Sequence, residues 1–384
     1  MKIAVVNLLD SFPPRTGGSN RTFELVKILS VQNDVALYIR SIYSSVRFIK
    51  KYYSSLRIIN SKYSYKKFRK NFLIRTIDIV LSSLLFVIDI RKKAYNIVII
   101  EYGRIQSLFF FFFCKLFAKS ILCIDSHNVE VIIKLRLNQF WFLTFLAEKL
   151  ILKNADFNIF VSKNDLKLSH KIYNYDKQRT AILHNFLDRK KDNLWDPKVI
   201  RVNTPKILFI GSLKYYPNIE AILNIDRKII PILKNEGIKL LFLVCGHGRK
   251  PVINNDDYFQ FLGYVGNLSV VIKDCSVAIA PISCGSGTRV KIIDYFKNGI
   301  PVVSTKIGAE GLLVKNEKNI IITDDWKKFS KSIQEIIKDF DLAQNLGRNG
   351  NILYEKEYSK SYASKEIRKI IKKAVITQLD YSMK

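Results

Sequence analysis

Short apolar runs rich in valine and isoleucine recur along the chain and alternate with longer segments whose apolar positions return at helical spacing. Runs that are apolar at nearly every position belong to strands covered on both faces, so the pattern predicts an α/β fold of parallel sheets clothed in helices. The strands predicted for the first half are Lys2 to Leu8, Asp34 to Ile39, Asn96 to Glu101, Ser120 to Ile124, Phe157 to Val161 and Thr180 to Leu183. Between the first two, Thr22, Leu25, Val26 and Leu29 share one helix face. A second series follows: Lys206 to Ile210, Leu240 to Val244, Phe259 to Leu262, Val277 to Pro281, Pro301 to Ser304 and Asn319 to Thr323. Phe329, Ile333, Ile336, Ile337 and Phe340 mark a late amphipathic helix.

A polar stretch from Asp188 to Thr204, with Pro197 inside it and Pro205 at its margin, separates the two series. It divides the chain into a domain over 1–190, a linker over 191–204, a second domain over 205–355 and a closing helical segment over 356–384. A return of that last segment to the first domain is an open alternative. The length of 384 residues and 48% hydrophobic content support two cores of this size.

The formal charge of +30 favours anionic partners without choosing among nucleic acid, phospholipid headgroups and phosphorylated substrates. The abundance of Lys, Ile, Asn and Tyr also fits a bias in the base composition of the coding DNA. The cysteines (Cys114, Cys123, Cys245, Cys275, Cys284) form no CxxC pair and read as buried thiols of a reducing compartment. Histidines without HxxxH spacing imply no metal. The amino terminus reads as a first strand and not as a signal peptide. Ile77 to Ile90 and the run around Phe109 to Phe117 fall short of the roughly 18 to 20 apolar residues a membrane span needs; they are expected to be core helices, with a deepened contact at a membrane surface as the alternative. No acidic residue occurs between Asp34 and Asp78, while Arg40, Arg47, Lys66, Lys67, Arg69 and Lys70 punctuate Tyr and Phe. Residues 40–75 therefore read as a patch for an anionic membrane surface, or as the solvated faces of ordinary helices.

The segment richest in chemistry is APISCGSGTRVKIIDYFKNGIPVVST, Ala280 to Thr305. A strand runs into a glycine loop, a helix follows and closes at Gly299, and another strand begins. Gly285 and Gly287 let backbone amides approach a phosphate, and the helix start adds unpaired N–H groups and the positive end of its dipole. Arg289 and Lys291 add formal charge, so a diphosphate is the natural occupant. The plainer alternative is a tight turn followed by an i, i+3 pair between Lys291 and Asp294. Gly17 and Gly18 stand between the first strand and first helix, either approaching phosphates or simply turning the chain; without a full GxGxxG they do not indicate a nicotinamide site. His127 follows a strand end, where it suits proton transfer or a structural bond.

This segment resembles the donor region of the retaining glycosyltransferase family 4, the group 1 type. Further stretches match in the family's order: PPRTGGSNR (Pro13 to Arg21), DSHNVE (Asp125 to Glu130), VSKND (Val161 to Asp165), LHNFLD (Leu183 to Asp188), ILFIGSLKYYPN (Ile207 to Asn218), LVCGHG (Leu243 to Gly248) and FLGYVGNL (Phe261 to Leu268). The resemblance implies a GT-B fold, two Rossmann-like domains with parallel sheets facing across an interdomain cleft. It implies retaining, metal-independent transfer from a UDP- or GDP-linked sugar to a saccharide or lipid-linked saccharide in surface polysaccharide synthesis. No cofactor beyond the nucleotide-sugar donor is implied, no nucleic acid is expected, and the location is cytoplasmic, peripheral to the membrane. By the same resemblance Arg289 and Lys291 would neutralise the diphosphate, His127 would serve the catalytic centre, and Asp294 would hold the ribose. Tyr264 and Val265 would face the base. Gly285, Ser286, Gly287 and Thr288 would lie against the sugar and its phosphate, with Gly17, Gly18, Gly211 and Lys214 also binding donor. Many members carry two glutamates with seven residues between them where this chain has Ser286 and Asp294, which leaves the sugar unread. A sugar-nucleotide epimerase or a non-catalytic donor-binding protein of the same fold is the alternative; a nucleic-acid-binding protein is a more distant one.

Overall fold

The computed structural model describes residues 1–8, 17–39, 57–60, 72–102, 105–188, 195–200 and 204–382. The chain divides into two units: Met1–Asn185 together with Ser364–Lys384, and Phe186–Ala363.

The first unit is built on a parallel sheet in the order β3-β2-β1-β4-β5-β6-β7, from β1 (Lys2–Asn7), β2 (Asp34–Ile39), β3 (Arg57–Asn60), β4 (Ile97–Glu101), β5 (Ile121–Ser126), β6 (Phe157–Phe160) and β7 (Thr180–Ile182). The predicted strands all form, within a residue or two at their ends. β3 is the addition. Its four residues RIIN sit between basic, aromatic stretches that hide so short an edge strand, and it pairs with β2 from Ala36↔Arg57 to Ile39↔Asn60. The rest of the basic patch of 40–75, apart from β3 and the first turn of the next helix, lies outside the described residues.

The helices of this unit are α1 (Gly17–Leu29), α2 (Phe72–Lys93), α3 (Ile105–Phe117), α4 (Glu130–Arg136), α5 (Phe142–Asn154) and α6 (Lys163–Tyr173). Crossovers between parallel strands are right-handed, and β1 to β3 step one way across the sheet while β3 to β7 step the other. Hence α2, α3, α5 and α6 cover one face and α1 the opposite one. On the first face Phe86, Ile90, Phe110, Phe111, Ile151 and Leu152 pack against Val6, Tyr38, Val98, Ile100 and Ile124.

The second unit repeats the scheme in the order β10-β9-β8-β11-β12-β13, with β8 (Lys206–Ile210), β9 (Leu241–Cys245), β10 (Phe259–Gly263), β11 (Val277–Ala280), β12 (Val302–Ser304) and β13 (Ile321–Ile322). After β8, α7 (Tyr216–Asn224) passes through a wide turn into α8 (Ile230–Asn235). A single turn, α9 (Ser269–Ile272), precedes β11, and α10 (Val290–Asn298) follows it. Trp195, in the predicted linker, is built into this unit: it is buried, its Nε1 donates to the Cys275 carbonyl at 2.7 Å and its backbone N–H to Asn298 at 2.8 Å. The late helix ends sooner than its apolar spacing predicts. α11 (Trp326–Lys338) stops because the Asp339 carboxylate caps a new helix, α12 (Phe340–Glu357), by accepting the Leu342 N–H at 2.9 Å. Finally α13 (Lys360–Ser382) carries the chain into the first unit, where Ile367 and Ile371 line a cavity of about 430 Å³ with Ile28 and Leu29 of α1.

The expectation that Ile77 to Ile90 and Phe109 to Phe117 are core helices holds for one side of each only. A continuous apolar run still winds round a helix, so half of it must face away from the sheet. Phe110, Phe111 and Cys114 are buried, while Phe109, Phe112 and Leu116 point outward. Phe111→Ala should therefore destabilise the protein by about 3–5 kcal/mol through the cavity it leaves, whereas Phe112→Ala next to it should cost under about 1 kcal/mol. Urea unfolding of the two variants measures the difference.

Candidate functional site

In a parallel sheet, ligands gather beyond the carboxyl ends of the strands where the strand order reverses. In the second unit that point lies between β8 and β11, and the glycine loop leaves β11 there. Gly285 and Gly287 have φ of +91° and +86°, a left-handed backbone that a side chain would strain. Arg289 braces the loop from within. It is buried, its Nη1 donates to the carbonyls of Ser286 at 2.6 Å and Gly287 at 2.8 Å, and its Nη2 to that of Cys284 at 3.3 Å. Its charge thus stays at the loop while these donors turn inward. Ser286 is buried and Thr288 half-buried. Arg289 is also the N-cap of α10 and supplies no side-chain cap, so the dipole end of the helix opens at the loop.

From β8, the Gly211 N–H donates to Cys245 at 2.8 Å, and the loop enters α7 at Tyr216, with Asn218 in the first turn. Asn218 joins the two loops: its Nδ2 donates to the Ser212 carbonyl at 2.9 Å, and its Oδ1 accepts from Lys291 Nζ at 2.8 Å. Lys291 also lies over the Phe209 ring, 4.1 Å from its centroid. No carboxylate pairs with Lys291 among the described residues. Burial, reinforced by Arg289, pushes its pKa well below the usual lysine value. The alternative pair of Lys291 with Asp294 does not form. Asp294 instead meets Lys297 at 3.3 Å, and burial raises its pKa against the pull of that lysine. Tyr264 is exposed and Val265 half-buried just beyond β10, and Lys214 is exposed.

Sequence reasoning assigned no role to Asn218 or to Glu220. Glu220 accepts a hydrogen bond from Ser283 Oγ at 2.6 Å, and Asn224 donates to the same hydroxyl at 2.8 Å, so a carboxylate stands beside a loop whose own Ser286 has none. The signal was adjacency, since Glu220 lies two residues beyond the ILFIGSLKYYPN stretch.

In the first unit the strand order reverses between β1 and β4. Gly17 opens α1; residues 9–16 before it, with Pro13 and Pro14, lie outside the described residues. Gly18 is needed where it stands, because a Cβ there would lie 1.5 Å from the Tyr102 hydroxyl. The Tyr102 ring rests against His127, with centroids 3.9 Å apart. His127 is buried, its Nε2 2.7 Å from Glu101 Oε2 and 3.6 Å from Asp125 Oδ2. Asp125 receives Arg21 in a two-pronged pair, Nε to Oδ2 and Nη2 to Oδ1, both at 2.8 Å. Arg21 Nη1 reaches the His184 carbonyl at 3.2 Å, and Thr22 Oγ1 donates to Glu101 at 2.8 Å. Glu101, Asp125 and His127 bring ligand atoms within 4.8 Å of one another. A cation would have to displace Arg21 from both Asp125 oxygens, so the set reads as a closed ion-pair network. Burial works against the imidazolium, but Asp125 and Glu101 outweigh it and raise the His127 pKa to about 9. Burial in turn raises Glu101, whereas Arg21 and His127 overcome it at Asp125 and hold that carboxyl low. Arg21 and Glu101 were not singled out in the sequence; the signal was an acidic residue ending each of two apolar strand runs, IVIIE and ILCID.

Residues 204–339 match the family model described as glycosyl transferases group 1. The matched stretch lies within the second unit. The whole chain is similar in fold to sucrose-phosphate synthase from Thermosynechococcus elongatus, at 15% identity and a TM-score of 0.78 over 98% of this chain and 99% of that one. It is similar likewise to Anabaena HepE in complex with UDP and glucose, at 12% identity and a TM-score of 0.73 over 97% and 99% of the two chains. These likenesses show a GT-B fold, in which the stretch that matches the family model lies in the second of two Rossmann-like units. Among curated proteins, chitobiosyldiphosphodolichol beta-mannosyltransferase of Candida albicans is 26% identical over 262 residues, 59% of this chain and 56% of that protein. An uncharacterized 44.6 kDa protein in the cps region of Klebsiella pneumoniae is 22% identical over 195 residues, 44% of this chain and 50% of that protein. The chain thus spans about half the length of these relatives.

The second unit holds Lys291 with no carboxylate partner among the described residues, so an arriving diphosphate should raise its depressed pKa. Binding of UDP or GDP should take up protons in alkaline buffer, and affinity should fall as pH rises. Calorimetry in buffers of different ionisation heat reads the uptake, which Lys291→Met should abolish. In the first unit, the His127 pKa of about 9 lies above its unfolded value of about 6.5. The stability it contributes is therefore complete below about 6.5 and lost as pH rises through about 9. The stability gap between the wild type and His127→Gln, measured by urea unfolding, should narrow over that window.

Proposed function

We propose that the protein transfers a sugar from a nucleoside diphosphate sugar, UDP- or GDP-linked, to a saccharide or lipid-linked saccharide, with retention and without a catalytic metal. The observation that carries this reading is Lys291: a partly buried cation, aimed by Asn218 and Phe209, with no carboxylate partner among the described residues, beside a glycine loop and an uncapped helix start. When the bond from the sugar C1 to the diphosphate breaks, negative charge gathers on the departing phosphate oxygen. Lys291 and the first-turn N–H groups of α10 are oriented for that charge before reaction, so little reorganisation is needed as it develops. Arg289 keeps the loop in shape and adds its charge. In this reading Asp294 accepts from the ribose hydroxyls, and Tyr264 and Val265 flank the base. An acceptor hydroxyl then attacks C1 from the face the phosphate leaves and gives its proton to the departing phosphate oxygen.

The UDP in the HepE structure and the name of the Candida relative support the donor class and a lipid-linked acceptor. Surface polysaccharide assembly at the cytoplasmic face of a membrane is the setting we infer for such an acceptor.

The test is a thermal-shift screen with UDP, GDP, ADP and CMP and their common sugar conjugates, on the wild type and on Lys291→Met. One nucleotide should stabilise the wild type, by about 2.7 kcal/mol at a hundredfold excess over Kd, and should do much less for the variant. No shift with any nucleotide, or an equal shift in both proteins, overturns the reading. Turnover of the stabilising donor with and without acceptor separates transfer from epimerisation.

A further inference from the structure

On the covered face of the first unit, α2 packs against α3 and α3 against α5. Each helix buries one side on the sheet and exposes an apolar stripe on the other. On α2 the stripe is Ile77, Leu81, Leu85 and Ile88. On α3 it is Phe109, Phe112 and Leu116, at i, i+3 and i+7. On α5 it is Leu143, Leu146 and Leu150, at the same spacing, with Phe140 and Trp141 exposed just before the helix. Leu116 is 73% exposed and Phe140 70%, values far from those of a packed core. Soluble proteins rarely expose so many large apolar side chains on adjoining elements unless something covers them.

Charge identifies the cover. Neither α3 nor α5 exposes an acidic side chain, since the Glu148 carboxylate is buried and accepts the N–H groups of Glu130 and Val131. The exposed cations instead form a row. Arg91 and Lys92 close α2, Lys119 follows α3 and Lys153 closes α5. These helix ends lead into the adjacent strands β4, β5 and β6, so the cations line one edge of the apolar layer. An apolar face edged by cations and a Trp–Phe cluster complements an anionic headgroup layer over acyl chains. No helix among the described residues is long and apolar enough to cross a membrane, so contact would be from one side.

We propose that the outer faces of α2, α3 and α5 dock the protein on an anionic bilayer, with the apolar stripes entering the headgroup boundary. The inference stands on these faces alone and needs neither the donor site nor the basic stretch of 40–75.

The experiment is cosedimentation of the full chain with vesicles of phosphatidylcholine, or of phosphatidylcholine with about a third phosphatidylglycerol. The variants are Leu85→Ser/Leu116→Ser/Leu143→Ser, which alters exposed positions only, and Lys119→Gln/Lys153→Gln. Circular dichroism and melting temperature check that both fold. The wild type should partition onto anionic vesicles, the serine variant at least tenfold more weakly, and the glutamine variant should lose preference for anionic lipid. Wild-type protein that stays in the supernatant, or a folded serine variant that binds as the wild type does, overturns the proposal. So does a lipid-independent dimer, seen by analytical ultracentrifugation, that the serine changes dissociate. The readout is sedimentation, so failure of the transferase reading would leave the result intact, and a donor-binding protein that ignores vesicles would sink this inference alone.

Discussion

A parallel strand cannot hairpin into its neighbour, and from that constraint most of this molecule follows. Each strand must be left by a crossover, and right-handed crossovers assign every helix of a unit to one face of its sheet or the other. Strand runs buried on both sides become apolar along their length, as in Ile97 to Ile100 and Val277–Ala280. The loops collect at the carboxyl ends, and the reversal of strand order leaves a gap there in which a glycine loop and a helix start can face the same space. The same handedness sets α2, α3 and α5 side by side, which turns three separate apolar stripes into one surface.

The two units handle buried positive charge in opposite ways. Arg21 is held by both oxygens of Asp125, and its neighbour His127 is bound to Glu101, so the cations and carboxylates answer one another within the first unit. Such a network is rigid, and removing one member leaves another charge stranded. Lys291 has an amide oxygen and an aromatic face, partners that orient an ammonium without neutralising it. A closed network serves architecture. An ammonium left short of negative charge is suited to a ligand that brings its own.

Strand positions were legible because a doubly covered strand must be apolar throughout, and this marks its sequence without reference to anything distant. β3 escaped because RIIN is short, lies at an edge and is flanked by cations. The helix expected to run to Phe340 was broken by Asp339, where one carboxylate outweighed the apolar spacing. The run of phenylalanines was read as core because periodicity carries no information when every position is apolar; only the direction of the sheet separates Phe111 from Phe112. The glycine loop was legible as a local unit of strand, turn and helix. The bonds made by Arg21 to Asp125, and by Lys291 to Asn218, were not, since each joins positions far apart in the chain.

The last helix has a consequence for the order in which the protein is made. The second unit is one continuous stretch, Phe186–Ala363, and holds its whole core within it. The first takes its final helix from Ser364 onward, so Ile28 and Leu29 wait for Ile367 and Ile371 until all of the second unit has been made. The first unit is therefore completed only after the second has been made, and until then the flank carrying Ile28 and Leu29 lacks its cover.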